Sequence, residues 1–173
     1  EPVQKIVGPG NVFVTAAKSM LRSRVEIDFP AGPSEIGVLA DSSAVPEFVA
    51  SDLVAQAEHD PSSACLMITD DPSLPDMVWE KMEGMIAKAP RREIIEKALV
   101  NSGYIVASDM DMAVEMMNEI APEHLSIMVR DSLATLSKVT NAGSIFVGPY
   151  TPVAAGDYAS GTNHVLPTAG HAS

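Results

Sequence analysis

Between residues 36 and 147 the chain alternates short apolar runs with amphipathic stretches, and this rhythm restricts the fold more than any other feature. The runs at 36–40, 64–69, 103–107, 124–129 and 143–147 have the length of buried strands and are each followed by a polar residue or glycine, at Asp41, Asp70, Ser108, Arg130 and Gly148. The stretches at 46–58, 73–88, 91–101, 109–120 and 131–140 repeat their apolar residues at helical spacing, with Pro90 dividing the second from the third. Strand and helix in strict alternation predict an α/β fold, a mostly parallel sheet with helices on both faces. Upstream, Gly8-Pro9-Gly10-Asn11 reads as a tight turn opening a helix from Val12 to Arg22, with Lys18, Arg22 and Arg24 near its C-terminal end. The breaker-rich loop Asp28 to Glu35 then feeds the first long strand. After Val147 the periodicity stops. Gly148 to Thr168 reads as a loop-rich active-site segment holding Asp157, Asn163 and His164, since a long irregular stretch in a compact domain usually serves function.

Composition narrows the partners. At 173 residues and 46% hydrophobic, one domain with one full core is expected. Eleven Lys and Arg against 23 Asp and Glu give a net charge of −12, which repels phosphate backbones and anionic membrane surfaces, so neither nucleic acid nor membrane is an expected partner. No apolar run approaches the ~20 residues that span a bilayer. Cys65, the single cysteine, sits in the apolar run Ala64 to Ile68 and reads as a buried strand residue of a reducing compartment, the cytoplasm. The Met-rich faces at Met77, Met82, Met85, Met116 and Met117 read as packing. A chain that starts at Glu1 without Met and stops after a small-residue tail is expected to be an excised part of a longer protein.

The polar residues that break this pattern fall together. Val49, Leu53 and Gln56 follow at spacings of four and three, so Gln56 extends the buried stripe of its helix, and a buried amide without partners costs about 1–3 kcal/mol. His59 projects about 60° away around the helix and can share a ligand with it. The plainer reading of Gln56-Ala57-Glu58-His59-Asp60 is a helix end with a satisfied amide and a solvent-facing histidine. In a parallel sheet, however, a returning helix ends at the N-terminal edge of the strands, where Ser34 and the pair Glu123-His124 also stand. That is the opposite edge from the usual ligand crevice of doubly wound sheets, so a site completed by another domain or subunit is expected there. Asp157 joins it only if the last strand is antiparallel or the following loop runs back along the sheet; ten residues span about 33 Å, so reach is sufficient. Gln56, His59 and Asp157 would form a mixed N/O set suited to zinc or a similar divalent ion, and Glu123 with His124 could do acid/base work. Ser34 reads equally as a turn residue, His164 as a loop hydrogen-bonder, and the glycines before Asn11 as a plain turn.

In order, the chain carries Gly8-Pro9-Gly10-Asn11, Ala31-Gly32-Pro33-Ser34-Glu35, Gln56-Ala57-Glu58-His59, Ala121-Pro122-Glu123-His124-Leu125, Gly148-Pro149-Tyr150, Gly156-Asp157-Tyr158 and Gly161-Thr162-Asn163-His164-Val165-Leu166-Pro167-Thr168. Over essentially its whole length it closely resembles the histidinol dehydrogenase family. The resemblance implies a zinc- and NAD-dependent oxidation of L-histidinol through histidinaldehyde to L-histidine, on an incomplete Rossmann-like domain of the aldehyde dehydrogenase type. It implies Gln56, His59 and Asp157 as zinc ligands that also touch substrate, Ser34 as a substrate contact, Asn11 as an NAD contact, Glu123 and His124 as the acid/base pair, and His164 as a further substrate contact. The family's remaining zinc-binding histidine, its substrate-binding glutamate, contributed across a homodimer, and its other NAD contacts lie in regions this chain does not contain.

Two other classes use the same residues: a zinc hydrolase, which forms no NADH, and a non-catalytic ligand-binding domain. The expected outcome for the 173-residue chain alone is a folded protein with negligible histidinol oxidation, checked by circular dichroism beside an NADH-formation assay. Turnover at the rate of a whole enzyme contradicts it.

Overall fold

The computed structural model describes residues 3–8, 12–28 and 34–161, with the backbone alone at 12, 157 and 158. It opens with a small parallel pair, β1 (Lys5–Ile6) and β2 (Glu26–Ile27), connected through helix α1 (Val12–Leu21). Lys18 stands in the last turn of α1, as its position predicts. It is buried, paired with Asp28 at 2.5 Å and donating to the Gly8 carbonyl, while Asp28 also accepts the Gly8 N–H at 2.6 Å. These bonds, first of all the one from Lys18, hold the Asp28 carboxyl below its ordinary range.

The main body follows the predicted alternation: β3 (Glu35–Ala40), α2 (Pro46–Ala57), β4 (Ala64–Thr69), α3 (Leu74–Ile86), α4 (Arg92–Ala98) with a 3-10 turn at Leu99–Asn101, β5 (Gly103–Val106), α5 (Met110–Ile120), β6 (His124–Met128), α6 (Ser132–Leu136), β7 (Ser144–Val147) and α7 (Val153–Tyr158). All five long-sheet strands run parallel in the order β5-β4-β3-β6-β7. Strand β3 lies in the middle and is apolar along its length because both of its faces are covered. Ile36, Val38 and Ala40 face a core shared with α2, α3 and α4; Leu39, with Ile68, Leu125 and Ile127, faces α5 on the other side. Cys65 lies in the first core as expected, its thiol donating to the Leu53 carbonyl at 3.3 Å, and burial pushes it up to about 11. Met82 and Met117 pack inside as predicted, but Met77 is 41% exposed.

Local chemistry sets the helix ends. Pro46 starts α2, where its missing N–H is no loss. Asp109 caps α5 by accepting the Met112 N–H at 2.9 Å, and α5 stops at Ala121, in the left-handed region at φ 51°, before Pro122. Helix α6 is shorter than the pattern predicts.

The segment after Val147 is not wholly irregular. Gly148, at φ +90°, donates to the Ile127 carbonyl at 2.9 Å and turns the chain out of the sheet. Tyr150 then packs edge-on against Phe48 at the start of α2, with ring centroids 5.8 Å apart. Three residues later α7 begins, and its first amide, Val153 N–H, donates to Asp52 Oδ1 at 3.4 Å in the middle of α2. The chain therefore runs back along α2 toward the N-terminal edge of the sheet. Asp52 is only 3% exposed; its other oxygen accepts the Ser126 hydroxyl of β6 at 3.2 Å, and burial, opposed by these two bonds, pushes its carboxyl up to about 6.

Two outcomes are expected. A Cβ at position 37 would lie 2.5 Å from Met117 Sδ and 3.0 Å from Pro122 Cγ, so Gly37→Ala lowers stability by about 1–3 kcal/mol in urea denaturation, and Met117→Ala in the same chain recovers part of the loss. Asp52 titrates higher in the folded chain than its ordinary 3.8, so the stability it contributes is full below that value and is lost as pH rises through about 6. Asp52→Asn, neutral throughout, is expected to gain on the native chain by up to about 3 kcal/mol between pH 4 and pH 7, read from denaturation midpoints at each pH.

Candidate functional site

The parallel order brings the predicted polar residues to one edge. In the sheet register Ile36 stands opposite His124, and Glu35, beside Ser34, opposite Ala64; the Ser34 carbonyl accepts the Ala64 N–H at 3.4 Å. Helix α2 descends to the same edge and ends at Ala57, so His59 lies two residues beyond the helix, in a turn held by its own N–H to the Gln56 carbonyl at 3.2 Å. Asp60 braces this turn, accepting the Ser62 N–H at 2.8 Å and the Ser62 hydroxyl at 2.5 Å, and those bonds hold its carboxyl below the usual range. Arg91, from the α3–α4 connection, donates to the His59 carbonyl at 3.4 Å.

Around this turn lies a cavity of about 290 Å³ lined by Gln56, His59, Glu58, Arg91, Val153 and Ala154. Gln56 is buried as its stripe position predicts, and its Nε2 has no hydrogen-bond partner among the described residues. An amide's O and N are interchangeable by a flip of the group, so the orphaned position can equally present an oxygen toward the cavity. His59 is exposed, as the plainer reading of the pentapeptide has it, yet it faces the same cavity. Among the described residues no three His, Cys, Asp or Glu side chains gather around one point. Gln56 and His59 nevertheless bring an amide and an imidazole to one cavity, a donor pair that fits a borderline divalent ion. Asp157 belongs to α7, whose first turn lines the cavity; the last strand is parallel, so it is the returning segment that carries Asp157 toward this edge.

Glu123 and His124 are both buried at the start of β6. The Glu123 N–H donates to Glu35 Oε1 at 3.3 Å, and the Glu35 carbonyl meets His124 Nδ1 at 3.3 Å. A carbonyl oxygen only accepts, so Nδ1 carries the proton in this contact and the lone pair of the neutral ring sits on Nε2. Phe146 of the adjacent strand lies tilted against the imidazole, centroids 6.1 Å apart at 39°. Strand alternation puts His124 on the same face as Ser126, the face that α2 and α7 cover.

Asn11 and His164 lie outside the described residues. Residues that the sequence reading passed over are Glu35, Asp52 and Arg91. Glu35 adjoins Ser34, and Asp52 precedes Gln56 by four on the same buried stripe, a spacing visible in the sequence; Arg91 carries no local signal, since its place depends on how α3 packs.

The histidinol dehydrogenase sequence model matches residues 1–173. The chain is 51% identical over 170 residues to the histidinol dehydrogenase of Methanosarcina mazei, 54% over 171 to that of Bacteroides thetaiotaomicron and 49% over 172 to that of Escherichia coli O157:H7. In each case the match covers 98% of this chain and 39–40% of the relative, so the chain spans about two fifths of the proteins it matches. The crystal structure of histidinol dehydrogenase from Elizabethkingia anophelis superposes with a TM-score of 0.94 at 44% identity, over 99% of this chain and 40% of that one. A gamma-glutamyl phosphate reductase from Thermotoga maritima shares the fold alone, with a TM-score of 0.52 at 13% identity over 87% of this chain and 42% of that one. On sequence and fold, this chain belongs to the histidinol dehydrogenase family.

Proposed function

We propose that this chain supplies the zinc-binding and acid/base part of a cytoplasmic, homodimeric histidinol dehydrogenase that oxidises L-histidinol through histidinaldehyde to L-histidine. The observation that carries the reading is the orphaned amide of Gln56 beside His59 in one cavity, at the sheet edge where Glu35 holds Glu123 and His124. In this reading 1–173 is a single α/β domain and 148–168 its active-site segment. Gln56, His59 and Asp157 hold zinc, Ser34 and His164 contact substrate, and Asn11 contacts NAD. When bound, zinc supplies an electron-poor centre for the nitrogen donors of the substrate, and NAD supplies the hydride acceptor.

The residues then act in two rounds. His124 takes the alcohol proton on Nε2 as the first hydride leaves the carbinol carbon, giving the aldehyde. Glu123 takes a proton from water as the oxygen attacks the aldehyde carbon while His124 returns its proton to the carbonyl oxygen, giving the hydrate; His124, neutral again, then accepts a hydrate proton as the second hydride leaves. Alcohol, water and two NAD+ thus become carboxylate, two NADH and three protons. Glu35 keeps the histidine in the tautomer this needs, through its carbonyl on Nδ1.

In the complete enzyme carrying this segment, His59→Ala is expected to lose zinc, measured by metal analysis after dialysis. Glu123→Gln is expected to keep zinc and lower kcat for NADH formation by about 10²–10⁴. Zinc undiminished in His59→Ala, or unchanged turnover in Glu123→Gln, refutes the assignment.

A further inference from the structure

Asp52 takes no part in the chemistry above, yet from α2 it is bonded to β6 and to α7, two other elements that carry the proposed site. From α2 its two oxygens reach Ser126 Oγ on β6 and Val153 N–H on α7, at 3.2 and 3.4 Å. Helix α2 and strand β6 run along the sheet, and the first turn of α7 lines the cavity that Gln56 and His59 share, so all three elements lead from this contact to the proposed site. Four residues on along α2 is Gln56, about 6 Å away; two residues back along β6 is His124, about 6.6 Å away; four residues on along α7 is Asp157. Each of the three bonded elements thus carries one residue of the proposed site within a turn or two of its bond to Asp52.

Two features say that this contact sets position. Helix α7 spans six residues, too few to hold itself, and its first amide has no intrahelical partner, so its placement rests on anchors such as this bond and the buried Val153 side chain. A carboxyl is also a poor choice for a merely filled position, because an apolar side chain of similar volume there would stabilise the core more. What the carboxyl has and the apolar chain lacks is two directional acceptors set apart by a fixed geometry.

We propose that Asp52 is a positioning residue that locks α7, and with it Asp157, in register with Gln56 on α2 and His124 on β6. The inference rests on the reading of Gln56, His59 and Asp157 as metal-binding. It makes the metal site depend on a residue that touches neither metal nor substrate.

The test uses the complete enzyme with Asp52→Ala, Asp52→Asn, Ser126→Ala and His59→Ala. Zinc affinity is measured by competition with a chromogenic chelator, and exchange of the α7 amides is followed by hydrogen–deuterium mass spectrometry on zinc-free protein. Asp52→Ala is expected to speed α7 exchange and weaken zinc binding by about tenfold or more, the size of effect seen when a group that orients a ligand is removed. Asp52→Asn, whose side-chain oxygen still accepts the Val153 N–H, is expected to recover most of both. A merely structural role lowers the melting temperature of Asp52→Ala but leaves zinc affinity within about twofold of native, and that result overturns the inference. Should Asp52→Ala fail to fold, Ser126→Ala and Asp52→Asn decide: a smaller loss of zinc affinity in Ser126→Ala than in His59→Ala supports the inference, and native affinity in both overturns it. Zinc kept by His59→Ala sinks the metal reading, whereas zinc lost there but held normally by Asp52→Ala sinks this inference alone.

Discussion

Parallel pairing on both sides of β3 is the constraint on which the molecule depends. Because β4 and β6 both run in its direction, every connection must recross the sheet, and each helix that does so delivers its C-terminal end to the edge where the next strand starts. Helix α2 brings Gln56 and the His59 turn to that edge, and α5 delivers Glu123 and His124 there through the tight stop at Ala121-Pro122. Glu35 and Glu123, 88 positions apart in sequence, meet as a consequence of strand direction. Gly37 lets Met117 and Pro122 close over β3, which brings the start of β6 against Glu35.

The proposed site stands at the opposite edge from the one where doubly wound sheets usually hold ligands. The crevice at the carboxyl ends of β3 and β6 is lined by Asp41, Asp111 and Asp131 against Arg130 and Lys138, the lysine already paired to Asp111. Asp70 lies nearby, raised first by burial and then by the charges of Asp41, Asp71 and Asp109. A phosphate entering there meets charge of its own sign. The N-terminal edge instead presents the Arg91 guanidinium, an imidazole and an orphaned amide around one cavity.

Much of this was legible in the chain. Period-two and period-3.6 apolar spacing located the strands and helices of the main body to within a few residues, because each element has one or two buried faces and side-chain direction follows backbone period. The stripe through Val49, Leu53 and Gln56 placed an amide in the interior, where it is found. The gathering of Ser34, Gln56, His59, Glu123 and His124 at one edge also followed, since strand direction alone decides it.

Three things required the tertiary structure. That the segment after β7 folds back along α2 depends on Tyr150 meeting Phe48 and Val153 meeting Asp52, contacts between residues about a hundred positions apart with no local signature. The short helix α7 within that segment has no capping side chain and no amphipathic length, so it forms only against the body it packs on. The burial of Lys18 against Asp28 and Gly8 likewise comes from the closing of a distant turn. The sequence by itself determined the alternation, the apolar faces and the edge on which the polar residues gather, because these depend on local period and strand direction. Only the tertiary structure decided the register between α2, β6 and α7, because that depends on which buried donors one carboxylate can reach.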